Sequence, residues 1–176
     1  MALITESELQ QRAFNVRKAK PVKIASSLLK EAKAETTVFL SHSHHDKGRI
    51  EYARDVLAAL DADIYVDWED PTVPSITQPE TARIIKARIQ GANKFVMLAS
   101  QNALGSKWVP WELGFADATK GLADVAIWPV ADDYGRWEGS EYVAIYRRIE
   151  IADDGDLAVF SPNTNKGVGL DTWLAS

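Results

Sequence analysis

The chain has no cysteine, so disulfides, thiolate catalysis and cysteine metal sites are excluded, and a reducing compartment is compatible with its composition. Its only histidines, His42, His44 and His45, crowd a single loop. No apolar run approaches the ~20 residues needed to span a bilayer, and Met1 to Lys20 is polar, without an apolar run of signal-peptide length. A soluble, cytoplasmic protein with no membrane partner is therefore expected. Twenty basic side chains stand against twenty-five acidic ones, a net charge of -5 with no long block of one sign, so nucleic acid is not an expected partner. No Gly-x-Gly-x-x-Gly follows the first strand, and no Walker-type or Gly-x-Ser-x-Gly motif occurs, which argues against Rossmann, P-loop and nucleophile-elbow chemistry.

What is present describes one globular domain: 176 residues, 46% hydrophobic and 26% charged, enough for a full core. Leu9, Phe14 and Val16, then Ile24, Leu28 and Leu29 beyond Pro21, predict two short amphipathic helices, so residues 1–35 read as a helical extension and 36–176 as the main domain. Thr36 to Ser41 reads as a strand, Asp46 to Leu60 as a helix, and Ile64 to Val66 as a second strand. Pro79 opens a helix that stops near Gly91, Lys94 to Ala99 is a third strand, and a helix within Ser106 to Gly121 follows. Asp124 to Val130 and Tyr146 to Ile151 complete five strands, and Asp153-Asp154-Gly155 predicts a turn into Leu157 to Phe160, a C-terminal hairpin. Alternating strands and helices predict an α/β fold, a doubly wound five-stranded parallel sheet with helices on both faces.

The candidate active site is Ser106 to Asp117, which follows a buried strand and its polar loop, since open α/β sheets bind ligands at the carboxyl ends of their strands. Trp108 and Glu112 are four residues apart and share a face if the helix is continuous. If the helix instead begins at Pro110, Trp108 lies outside it and Glu112 becomes a capping carboxylate in the first turn. Both readings stand on spacing alone. The histidine loop invites a metal, but two adjacent imidazoles seldom converge on one ion and no second cluster offers the remaining ligands, so no metal is expected. The simpler reading is a polar loop in which Ser41, Ser43 and backbone amides meet a ligand.

Taken together, these segments resemble the TIR (Toll/interleukin receptor) domains, particularly bacterial NAD-consuming members. Val38-Phe39-Leu40-Ser41-His42-Ser43 with Asp46 is similar to the family's first box, and Asp67 to Pro74 occupies the place of its variable loop. Phe95 to Ser100 resembles the third strand, and Ser106-x-Trp108-x-x-x-Glu112-Leu113 matches Ser-x-Trp-Cys-x-x-Glu-Leu except for Val109 at the cysteine. A second departure is Pro74-Ser75, where a Pro-Gly pair is common. The likeness spans about Thr36 to Ile151.

The resemblance implies a flavodoxin-like fold and cleavage of the nicotinamide–ribose bond of NAD, a substrate and not a cofactor. Glu112 would be the catalytic carboxylate, with Ser41, Trp68, Ser106 and Trp108 binding substrate and no metal. It also implies self-assembly through TIR–TIR contacts, a role in anti-phage (Thoeris-like) defence, and a separate effector that senses the nucleotide product. Products could be ADP-ribose or a cyclic form. Two other readings remain open: a non-enzymatic TIR–TIR interaction module, and a glycosidase resembling nucleoside deoxyribosyltransferases.

Overall fold

A computed structural model describes residues 1–19, 36–73 and 78–176. Strand β1 (Ile4–Thr5) leads into α1 (Glu6–Ala19), and β2 (Thr36–Ser41), α2 (Lys47–Ala58) and β3 (Ala62–Tyr65) follow. Next come α3 (Pro79–Gly91), β4 (Lys94–Ala99), the short α4 (Gln101–Leu104), α5 (Trp108–Lys120) and β5 (Val125–Ala131). The chain closes with β6 (Arg147–Ile151), β7 (Leu157–Phe160), β8 (Gly167–Gly169) and α6 (Leu170–Leu174). The second predicted N-terminal helix, Ile24 to Leu29, and the Pro74-Ser75 pair lie outside the described residues.

Period-two alternation along the central strands builds two apolar layers, because successive side chains in a strand point to opposite faces. Val38 and Leu40 of β2, Val96 and Leu98 of β4, and Ala126 and Trp128 of β5 pack with Leu9 and Ala13 of α1 and Ile50, Ala53 and Leu57 of α2. Phe39, Phe95, Met97, Val125 and Ile127 face the other way, onto Ile85 and Ile89 of α3 and Val109, Leu113 and Ala116 of α5. Strands buried on both faces read as continuous apolar runs. Every residue of β4 and β5 is buried.

The order β3-β2-β4-β5-β6 is parallel throughout, the flavodoxin-like arrangement. The sheet does not stop at five strands. Among the described residues it has eight, because β7 and β8 continue it antiparallel beyond β6, and β1 runs parallel to the end of β5 at Val130 and Ala131. Ala2 also bridges Ile151, so the N-terminal segment occupies the gap where β5 and β6 diverge. A two-residue strand carries no periodicity, and Gly167 to Gly169 has no β-branched or aromatic pattern beyond Val168, which is why these pieces escape sequence reading.

The parallel strands place their carboxyl ends, Ser41, Tyr65 and Ala99, along one edge of the sheet. The chain leaves β2 first toward β3 and then crosses to β4, so the switch point of the topology lies between β2 and β4. No helix among the described residues is long and apolar enough to cross a membrane.

Candidate active site

Helix α5 begins at Trp108, two residues before the proline that made its start ambiguous. Ser106 explains the boundary: its Oγ accepts from the backbone N–H of Trp108 at 3.1 Å and of Val109 at 3.4 Å. Pro110 sits in the first turn, where its missing N–H breaks no intrahelical bond. Glu112 is thus the fifth helical residue and caps nothing. Trp108 and Glu112 do share a helical face, and both line the same cleft.

Glu112 is only 5% exposed, between Val109, Leu113 and Ala116 of the buried layer. Its carboxylate meets β2 because Ser41, two residues beyond Phe39, points to the same face of the sheet. Ser41 Oγ donates to Glu112 Oε2 at 2.5 Å. Burial pushes the Glu112 carboxyl up to about 8, against the opposing pull of the Ser41 hydroxyl. The negative charge of Asp67 adds to the rise, and His42 opposes it.

The cleft in front of Glu112 has a volume of about 600 Å³. The loops after β2 and β3 form one wall and the start of α5 the other. Trp68, Ser106, Trp108 and Glu112 all line it, whereas Ser41 lies behind Glu112, holding the carboxylate without facing the cleft. Trp108 packs edge-on against Trp111 at 5.1 Å, which fixes the angle of its indole. A larger hollow of about 690 Å³ lies among α1, α2 and β8, but its charged lining residues, Arg12, Asp154, Asp156 and Asp171, are half-buried or exposed. The smaller cleft alone of the two contains a buried acid and a buried imidazole, the groups that chemistry requires.

His42, Asp67 and Asn102, which the sequence reading assigned no role, join the cleft. His42 is buried, and its Nδ1 lies 2.8 Å from the Leu40 carbonyl. Its Nε2 is 3.2 Å from Asp67 Oδ1, at ion-pair distance but off hydrogen-bond alignment. Burial by itself favours the neutral imidazole, yet Asp67 outweighs it and His42 titrates above its ordinary value. Burial likewise favours neutral Asp67, and His42 outweighs it to hold the carboxyl below the usual range. Trp68 packs edge-on on His42, with centroids 4.6 Å apart. The available signal was topological: Asp67 follows β3 as the histidine loop follows β2, and ends of adjacent parallel strands are neighbours.

Behind the cleft, at the switch point, Asp46 ties the loops together. It accepts from the Ser100 hydroxyl, from Asn102 Nδ2 at 2.8 Å and from Arg49 Nη1 at 2.5 Å. Arg49 reaches on to Glu6 of α1, also at 2.5 Å. The N-terminal helix is therefore linked to the site's frame.

A family model described as TIR domain matches residues 38–160. The chain belongs to the TIR domain family. Two curated relatives carry provisional names. A Bacillus cereus (strain MSX-D12) protein, named as a 3′ cyclic ADP-D-ribose synthase, ThsB′, is 37% identical over 115 residues, 62% of this chain and 58% of the relative. A Cytobacillus dafuensis protein, named as a cyclic ADP-D-ribose synthase, TIR2, is 30% identical over 82 residues, 45% of this chain and 22% of the relative. The match thus spans little more than half of the first relative and under a quarter of the second. In this TIR domain Val109 packs into the layer beneath α5 at 1% exposure, so the position where the resemblance has cysteine is occupied by an apolar contact.

Proposed function

We propose that this TIR domain cleaves the bond between nicotinamide and ribose in NAD, with Glu112 as the catalytic carboxylate, and yields a cyclic ADP-ribose-type product. The observation that carries the proposal is the buried Glu112 facing a cleft that also holds Trp108 and Trp68. The names of the two relatives agree with a cyclic product.

The nicotinamide ring of NAD is cationic, so the C1′–N bond breaks with its electron pair going to nitrogen and a neutral amine leaves without a general acid. Positive charge then develops on the ribose, and a fixed anion beside it stabilises the transition state more than the ground state. Apolar surroundings strengthen that attraction. The cationic substrate also helps ionise the acid that needs to be an anion, because a nearby positive charge favours a carboxylate. Ser41 holds Glu112 in place, and Trp108 stacks on a base, a contact worth ~1–3 kcal/mol on the scale for nucleic-acid bases. Trp68 covers the cleft from the opposite loop, and Ser106 presents its hydroxyl at the rim.

The cation left on C1′ is captured by a nucleophile of the same molecule, with water giving ADP-ribose as the competing outcome. Assembly through TIR–TIR contacts activates the domain, and the product signals to a separate effector in anti-phage defence, as the family resemblance implies. Incubation of concentrated protein with NAD, followed by chromatography and mass spectrometry, tests the chemistry. The expected result is nicotinamide and a product of mass equal to NAD less nicotinamide. ADP-ribose as the sole product would remove the cyclase assignment. No nicotinamide release, either from concentrated protein or in lysate of phage-infected cells, would overturn the proposal.

A further inference from the structure

The His42–Asp67 contact has an unusual feature. With Nδ1–H directed at the Leu40 carbonyl 2.8 Å away, Nε2 is the ring atom that faces Asp67 Oδ1, 3.2 Å away and off hydrogen-bond alignment. Such a contact needs a positive charge between its two atoms, and either a proton on Nε2 or a metal ion can supply it. Among the described residues, His42 Nε2 and Asp67 Oδ1 both lack a hydrogen-bond partner. A third donor is at hand, since His44 Nε2 lies 4.0 Å from the other oxygen, Asp67 Oδ2. One donor atom from each of the three residues lies within 4.8 Å of the other two.

We propose that His42, His44 and Asp67 form a binding site for a divalent transition-metal ion of the zinc class. Two imidazoles and one carboxylate suit zinc, whereas magnesium and calcium prefer oxygen donors throughout. Zinc bonds of about 2.0–2.1 Å in a tetrahedron place donors about 3.3 Å apart. The His42–Asp67 separation of 3.2 Å already matches. The His44 donor, within 4.8 Å of the other two, needs to close by at most about 1.5 Å on the same scale, and its side chain is 72% exposed. The Leu40 carbonyl orients the His42 ring, as the outer partners of metal-bound histidines commonly do. Trp68 packs against the ring in an edge-to-face contact.

All three donors line the cleft, so the fourth position opens onto it and takes an oxygen donor, either water or a bound ligand. This site goes beyond the NAD reading, and zinc binding is read without NAD, so either claim can fail alone.

Its test uses the full chain without a polyhistidine tag. Equilibrium dialysis against buffered zinc, read by elemental mass spectrometry, is expected to give about one ion per chain. His44→Ala, an exposed change that leaves the core intact, is expected to weaken binding by about tenfold or more. His45→Ala, the neighbouring exposed histidine outside the cluster, should leave it unchanged. Cobalt(II) should show the intense visible absorption of a tetrahedral ion in wild type and lose it in His44→Ala. No retained zinc would overturn the site and leave an imidazolium–carboxylate pair. Equal weakening by His45→Ala and His44→Ala would overturn the assignment of ligands.

Discussion

Two buried carboxylates stand near one another at the carboxyl edge of the sheet, and they are treated in opposite ways. Asp46, 2% exposed, accepts from Ser100, Asn102 and Arg49, three donors from three segments. Glu112, 5% exposed, accepts from the Ser41 hydroxyl and lies near the negative charge of Asp67. The burial of Asp46 is compensated by hydrogen bonds and by the Arg49 cation, so it fastens loops. Glu112 is left short of partners, and its high proton affinity records the shortfall. An under-partnered acid facing a cleft retains lone pairs for a substrate that brings its own positive charge. Asp46 is built to hold the frame, and the proposed function puts reactivity at Glu112.

The largest contrast should appear on substitution. Glu112→Gln keeps shape and neutralises the group, and nicotinamide release should fall by about 10²–10³-fold, the size of effect seen on losing a preorganised electrostatic contact. Retention of more than a tenth of the rate would remove Glu112 from the chemistry. Asp46→Ala should instead act on stability, lowering the unfolding free energy by about 3–5 kcal/mol because buried donors lose their acceptor. Urea unfolding checks it, and a loss under about 1 kcal/mol would show that the network is ornamental.

The pH dependence sharpens the same comparison. In the proposed mechanism the reactive form is the carboxylate, and burial pushes Glu112 of the free protein up to about 8. The value of kcat/KM should therefore rise with pH, about tenfold per unit well below that point, and level off above it. In the complex the cationic ring favours ionisation, so the kcat profile should turn at lower pH. A flat kcat/KM profile between pH 6 and 9 would contradict the titration. Ser41→Ala should give the smallest effect, a fall in kcat of about tenfold from loss of one hydrogen bond to a charged group, with little change in KM. A rise in KM with kcat intact would make Ser41 a substrate contact after all.

The five parallel strands were legible because each is an apolar run or follows a strong turn signal, and Pro79, Gly91 and Gly121 punctuate the helices. The last of these takes a positive φ of 76°, a conformation glycine adopts at no steric cost. Strand β1, strand β8 and helix α6 were not legible, since their place depends on a sheet edge formed by distant residues. In the site, spacing left the pairing of Trp108 with Glu112 open because of Pro110, and the family resemblance named both residues. Only the Ser106 cap shows that the helix starts early. The partnership of His42 with Asp67 joins two loops, and no spacing rule within either loop encodes it. Ser41 was read as a substrate contact, and its proximity to Glu112 became visible only with both faces of the sheet assigned.

The most direct test of the account is a paired measurement on wild type and Glu112→Gln: thermal unfolding at pH 5 and pH 9, with nicotinamide release assayed in the same preparations. A carboxyl whose pKa is raised by folding, from 4.5 to about 8, stabilises the fold relative to alkaline conditions while it is protonated. That contribution is present in full below about 4.5 and is lost as pH rises through about 8. The account predicts that the two proteins melt together at pH 5, and that at pH 9 the glutamine variant is more stable, by about 4 kcal/mol or ~8–16 °C. A glutamine variant that is less stable than wild type at pH 9, or that still releases nicotinamide at the wild-type rate, would contradict it.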